Sequence, residues 1–111
     1  MAKLTKLNVS LVHQEALAAA RKAQEQWLAE HPNDWWPCGF AWIRFKPARG
    51  MFVAHLKSIG EGGKAWHGGY QLWNPAGGST QSMYAKVAGA DAYVEVLREW
   101  GVPCFVENRM D

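Results

Sequence analysis

Apolar and polar positions change their period several times along the chain, and each change marks an element. Between residues 10 and 31, Leu17, Ala20, Gln24, Trp27 and Leu28 fall at helical spacing on one mainly apolar stripe. Ser10 is placed to cap the start of this helix, and Pro32 ends it. The stretch HPNDWWP, with its two prolines, is a turn-rich connection. The period then drops to two. Residues 38–46 alternate as a strand, which Pro47 stops.

A short helix is predicted at 49–59, where Met51, Phe52, Leu56 and Ile59 share a face and Gly60 follows as a C-terminal cap. Two short strands, 64–67 and 70–74, flank Gly68-Gly69, a pair suited to the positive φ angles of a tight hairpin turn. If 64–67 is loop instead, the sheet has three strands. Ser79 or Thr80 can cap the last helix, in which Met83, Val87, Ala90, Val94 and Leu97 keep a helical period. Gly101 and Pro103 end it, and residues 104–108 form a closing strand.

The predicted order is a helix followed by β-α-β-β-α-β. That series is the ferredoxin-like, or split βαβ, pattern: an α+β fold with an antiparallel sheet and an extra N-terminal helix. The expectation is a single domain over residues 1–111, with the first helix at 10–31 and a ferredoxin-like core at 38–108. Ala41, Ile43, Phe45, Cys104 and Val106 should face the helices. Phe40, Trp42 and Phe105, with Trp73 or Tyr70 depending on register, should face away. The second face is large, aromatic and basic. The first helix, with Trp27 and Leu28 and with Trp35 and Trp36 beside it, could cover that face. A second copy of the chain could do the same, or the face is a stacking platform.

Composition narrows the field. Hydrophobic residues make up 49% of the 111 and charged residues 20%, as in a folded globular chain rather than a disordered one. Apolar runs are too short to span a membrane, and the N-terminus lacks the hydrophobic stretch of a secretory signal, so a cytoplasmic location with no membrane partner is expected. Net charge is only +2, but residues 44–64 hold five cations (Arg44, Lys46, Arg49, Lys57, Lys64) against Glu61 alone. This local positive field suits an anionic partner. Cys38 and Cys104 make no C-x-x-C pair, and their predicted places at opposite ends of neighbouring strands make both free thiols.

No stretch announces a reaction. His13, His31, His55 and His67 lie far apart without metal-ligand spacing, no carboxylate pair stands out, and neither cysteine adjoins a base. No enzyme activity, cofactor or metal is therefore expected. The loop GEGGKA loosely matches nucleotide-binding loops, but it follows a helix and opens a strand, the reverse of what a phosphate-binding helix N-terminus requires. More informative is CGFAWIRF, residues 38–45. It resembles the octapeptide of RNA-recognition motifs, with Cys38 in place of the basic residue and on the first strand rather than the third. In that analogy Phe40 and Trp42 stack on bases and Arg44 meets phosphate.

From residue 38 onward the chain also resembles a set of small, uncharacterised phage-encoded proteins. The residues concerned are Cys38-Gly39-Phe40-Ala41-Trp42, Phe52, Leu56-Lys57, Lys64, Gly68-Gly69, Trp73, Gln81-Ser82, Lys86 and the ending Arg109-Met110-Asp111. The resemblance implies a phage origin and action inside the host cell, and it supplies no activity. It singles out Lys57, Lys64, Gln81, Ser82, Lys86 and Arg109 as polar residues that a fold alone does not demand.

Two functional expectations result. The first is a small accessory protein that binds single-stranded nucleic acid through Phe40, Trp42, Arg44, Lys46, Lys57, Lys64, Trp73 and Arg109. The second is a factor that binds a host protein, inhibiting or modulating a host enzyme or defence complex. Seven tryptophans, a residue type enriched at interface hot spots, favour it. A homodimer is compatible with either.

Overall fold

The computed structural model of the chain describes residues 3–32 and 36–111. Its elements are α1 (Val9–Glu30), β1 (Gly39–Phe45), α2 (Met51–Ser58), β2 (Gly63–Lys64), β3 (Tyr70–Trp73), α3 (Met83–Glu99) and β4 (Cys104–Met110). The strands form one antiparallel sheet in the order β2-β3-β1-β4, and the fold is α+β. Trp35 lies outside the described residues. No described helix is long and apolar enough to cross a membrane.

Helix ends follow local chemistry, in places one turn from where the sequence pattern puts them. Ser10 is an exposed residue inside α1, not its cap. Thr5 and Asn8 make the cap instead: the Thr5 N–H donates to Asn8 Oδ1 (2.7 Å) and the Asn8 N–H to Thr5 Oγ1 (3.2 Å). This is the reciprocal logic of a capping box, with Asn in the distal role. Ser82, rather than Ser79 or Thr80, caps α3 by accepting from the Ala85 N–H (3.2 Å). The cap shifts because residues 81–83 are bound to the start of β1. The Gly39 N–H donates to Gln81 O and the Met83 N–H to Pro37 O. Gly60 and Gly101 end α2 and α3 at positive φ, each with the paired backbone bonds of a Schellman motif.

All three helices lie on one side of the sheet. Ala41, Ile43 and Phe45 of β1 and Cys104 of β4 are buried against them, with Val106 half-buried at the margin, as the alternation predicts. Tyr70 and Leu72 of β3 join this core, so Trp73 is the β3 aromatic that faces away. The α1 stripe is rotated from the predicted one. Val9, Val12, His13, Ala16, Ala20 and Gln24 are buried, while Leu17, Trp27 and Leu28 are half-buried. Small side chains explain the rotation. A Cβ added at Gly89 of α3 would stand 3.1 Å from Ala20 O and 2.8 Å from the Ala76 Cβ, so α1 and α3 meet backbone to backbone. Gln24 fits the seam because its Nε2 donates to Gly77 O (3.0 Å).

A hairpin forms, but it does not turn at Gly68-Gly69: β2 is only Gly63–Lys64 rather than 64–67, and Trp66 and His67 are the central residues of the turn that the Gly68 N–H closes on Ala65 O. Residues 65–69 form a five-residue loop closed by the Ala65 N–H on Gly69 O (2.9 Å). Trp66 and His67 thereby leave the sheet. Gly68 (φ 97°) and Gly69 (φ 83°) both sit where L-residues are strained. A Cβ on Gly69 would also lie 2.6 Å from Phe45 O, whereas one on Gly68 meets nothing within 4 Å. Gly68→Ala should thus cost about 1–2 kcal/mol from conformation alone, and Gly69→Ala clearly more. Urea denaturation of the two variants checks the order.

One buried titratable pair lies under the helices. His13 Nδ1 is 2.8 Å from the Tyr93 hydroxyl, and the ring packs edge-on to Phe52, His55 and Tyr93. Burial lowers the His13 pKa below its ordinary 6.5. The His55 charge adds to this and Glu61 opposes it. The folded state therefore keeps His13 neutral at a pH where the unfolded chain takes up a proton. This contribution to stability is lost as pH falls below about 6.5. The urea midpoint should drop between pH 7.5 and pH 5.5, and His13→Gln should flatten that dependence.

Candidate nucleic-acid interface

The sheet face opposite the helices is built by alternation on three strands. Cross-strand partners are Phe40 with Arg109, Trp42 with Trp73 and Glu107, and Arg44 with Gln71 and Phe105. All of these side chains project to the same side. Among the described residues no helix lies over them: α1 packs mainly on α3, and the hairpin loop covers only Arg44. The first helix is thus not the cover that its tryptophan allowed.

At the centre, the Trp42 and Trp73 rings stack with centroids 4.7 Å apart and planes inclined by 22°. Phe40 meets Trp73 edge-on at 5.9 Å. Trp73 is 45% exposed, and Phe105 at the margin 38%. Two cations flank the Phe40 ring: Arg109 Cζ lies 5.7 Å and Lys86 Nζ 5.2 Å from its centroid. These are cation–π distances.

Glu107 organises the middle of the face. Its Oε1 accepts from the Trp42 indole Nε1 (2.9 Å) and lies 2.7 Å from Arg44 Nε. The Arg44 contact is an ion pair whose N–H is not aimed along the line between the atoms. Arg44 also donates from Nη1 to Gly68 O (3.3 Å), which holds its buried side chain against the hairpin loop. Arg44 is thus already neutralised. The alternation in CFVENRM carried the signal for Glu107. Its pairing with Arg44 depends on the register between β1 and β4, which local alternation does not set.

The predicted site residues divide into two groups. Phe40, Trp42, Arg44, Trp73 and Arg109 are brought together, and Lys46 is exposed just beyond the end of β1. Lys57 and Lys64 stand elsewhere. Lys57 belongs to α2, donates to Ala48 O (3.3 Å) and lies 5.5 Å over the Tyr70 ring, which faces the helices. Lys64 is in register with that same Tyr70, so its side chain starts from the helix side of the sheet. A one-residue difference in register puts a side chain on the opposite face.

Three of the polar residues that the sequence singled out have structural roles. Lys86 Nζ donates to Gly39 O (2.8 Å), Ser82 caps α3, and the Gln81 carbonyl binds the Gly39 N–H. Together they fasten the start of α3 to the start of β1. Burial pushes the Cys104 thiol up to about 11, while Cys38 is exposed, and both are free. Among the described residues no group of three or more His, Cys, Asp or Glu is placed to hold a metal ion. Compared with protein-family models, curated proteins and solved structures, the chain finds no match.

Removing the Glu107 charge tests this geometry directly. Glu107→Gln keeps an acceptor for Trp42 but frees Arg44. The face becomes more positive, and the Trp42 indole loses its charge-assisted bond. Tryptophan fluorescence quenching by iodide, an anion, should rise relative to wild type, while quenching by neutral acrylamide changes less.

Proposed function

We propose that the open sheet face binds single-stranded nucleic acid, with bases stacked on its aromatic cluster. The observation that carries this reading is the Trp42–Trp73–Phe40 cluster on the two central strands, uncovered among the described residues. Any base offers a π-face to such a platform, which makes binding tolerant of sequence. Arg109 and Lys46 are the cations free to meet phosphates, while Arg44 is committed to Glu107. Stacking therefore supplies the larger share of affinity.

We read the fold as a ferredoxin-like split βαβ. A crossover through α2 joins β1 to β2, and β3 is inserted between them. The phage resemblance, with action in the cytoplasm of the host, belongs to the same proposal. A second reading, a factor that grips a host protein, is favoured by one feature: Trp66 at the tip of the hairpin is 88% exposed.

Anisotropy of a labelled single-stranded oligonucleotide separates the contributions. Two phosphate contacts give a slope of log K against log salt of about −1.4 on a single strand. A slope near about −2.8 would bring Lys57 and Lys64 into contact as well. Trp73→Ala should cost about 1–3 kcal/mol and leave the slope unchanged. Absence of binding at low salt overturns the reading and leaves the host-protein factor in its place.

A further inference from the structure

β4 is the outermost strand on its side of the sheet, and its seven residues Cys104–Met110 are bonded on one edge only. The direction of its backbone groups follows from the ladder. The Asp111 N–H donates to Cys38 O (2.9 Å), whereas the Asn74 N–H donates to Ala41 O (3.0 Å). Even-numbered residues of β1 thus bond towards β4 and odd-numbered ones towards β3. On β4 the same alternation turns Phe105, Glu107 and Arg109 inward to β1. It turns the N–H and C=O of Cys104, Val106, Asn108 and Met110 outward.

Arg98 occupies the outward carbonyl of Cys104, at 3.4 Å from Nε and 3.2 Å from Nη2. The outward groups of Val106, Asn108 and Met110 have no backbone partner among the described residues. Natural edge strands are usually blunted by charged side chains, proline or a bulge. β4 has neither proline nor bulge, its pairing with β1 is unbroken, and its two charges, Glu107 and Arg109, are of opposite sign. Its outer end also leaves Met110 58% exposed.

We infer that β4 pairs antiparallel with β4 of a second copy of this chain, about a two-fold axis at Asn108. Two features of the strand agree on this register. Centring on Asn108 sets Val106 opposite Met110 of the second copy and Asn108 opposite itself, so the outward groups of all three residues are used. It sets Glu107 opposite Arg109 of the second copy, and Arg109 opposite Glu107. These fall at non-hydrogen-bonded positions, where side chains come closest. Centring on Glu107 fails on both counts: it requires backbone groups already spent on β1, and it places two carboxylates face to face. A foreign strand has no reason to match this pattern of alternating charge, whereas a second copy matches it by symmetry.

The joined sheets carry both aromatic clusters on one continuous face. The inference does not rest on what that face binds.

Sedimentation equilibrium over a concentration series, with hydrogen exchange of the β4 amides, tests it. The expected result is a dimer in which the Val106, Asn108 and Met110 amides exchange more slowly as concentration rises. Arg109→Glu turns both symmetry-related ion pairs into repulsions and should weaken the dimer about tenfold. Arg109→Lys keeps the charge opposite Glu107 of the second copy and leaves Glu107 with Trp42 and Arg44, so it should keep the dimer. Asn108→Pro removes an N–H that the monomer does not use, a substitution edge strands tolerate, and should give a monomer. A wild-type chain that stays monomeric at millimolar concentration overturns the proposal. So does a dimer that survives Asn108→Pro unchanged, or an edge that accepts only an added extended peptide.

Discussion

Everything in this protein depends on β1 being bonded on both edges while its two faces meet different environments. Along its full length it pairs with β4, and over Trp42–Phe45 it also pairs with β3. Those bonds fix its rotation. Once Ala41, Ile43 and Phe45 are buried under the helices, Phe40, Trp42 and Arg44 have only the other side to occupy. The start of the strand is fixed just as firmly, because the Gln81 carbonyl and Lys86 Nζ bind the backbone of Gly39 and the Met83 N–H binds Pro37 O. Lys86 is a buried cation, and its bond to the Gly39 carbonyl, with the nearby Phe40 ring, gives it compensation that burial would otherwise deny.

The character of the open face is decided by one carboxylate. Phe40, Trp42 and Trp73 give it area and stacking surface, and Arg109 and Lys46 give it positive charge at the margins. Glu107 sits between, holding the Trp42 indole by its N–H and pairing with Arg44. A ring fixed at both face and edge loses little freedom when something stacks on it, so the platform is preorganised. The same carboxylate reduces the field above the centre of the sheet. A ligand that binds by π-stacking suits this arrangement better than one that binds by charge.

That the face is open follows from helix packing on the far side. The absence of side chain at Gly89 and the small ones of Ala16 and Ala20 let α1 and α3 lie together closely, and α1 is consumed by that contact. A helix so engaged has no apolar stripe left for the other face of the sheet. The outer edge of β4 is left in the same condition, with backbone groups and exposed apolar side chains towards solvent.

The sequence by itself determined the elements and the two faces of β1. Period-two alternation in CGFAWIRF, the glycines at 60, 68, 69 and 101, and the prolines at 32 and 47 are local signals, and local sterics make them legible. Phe40, Trp42 and Arg44 could be read as one face from these residues alone. Tertiary structure decided what depends on distant partners. Only the pairing of Tyr70 with Phe45 shows that Lys57 and Lys64 lie away from the aromatic face. Only the register of β4 brings Glu107 to Arg44 across 63 positions of chain. The cap of α3 moved to Ser82 because β1 had already claimed residues 81–83. Local periodicity says which residues share a face, but which face meets which is set by strand register and helix docking, and these are properties of the assembled chain.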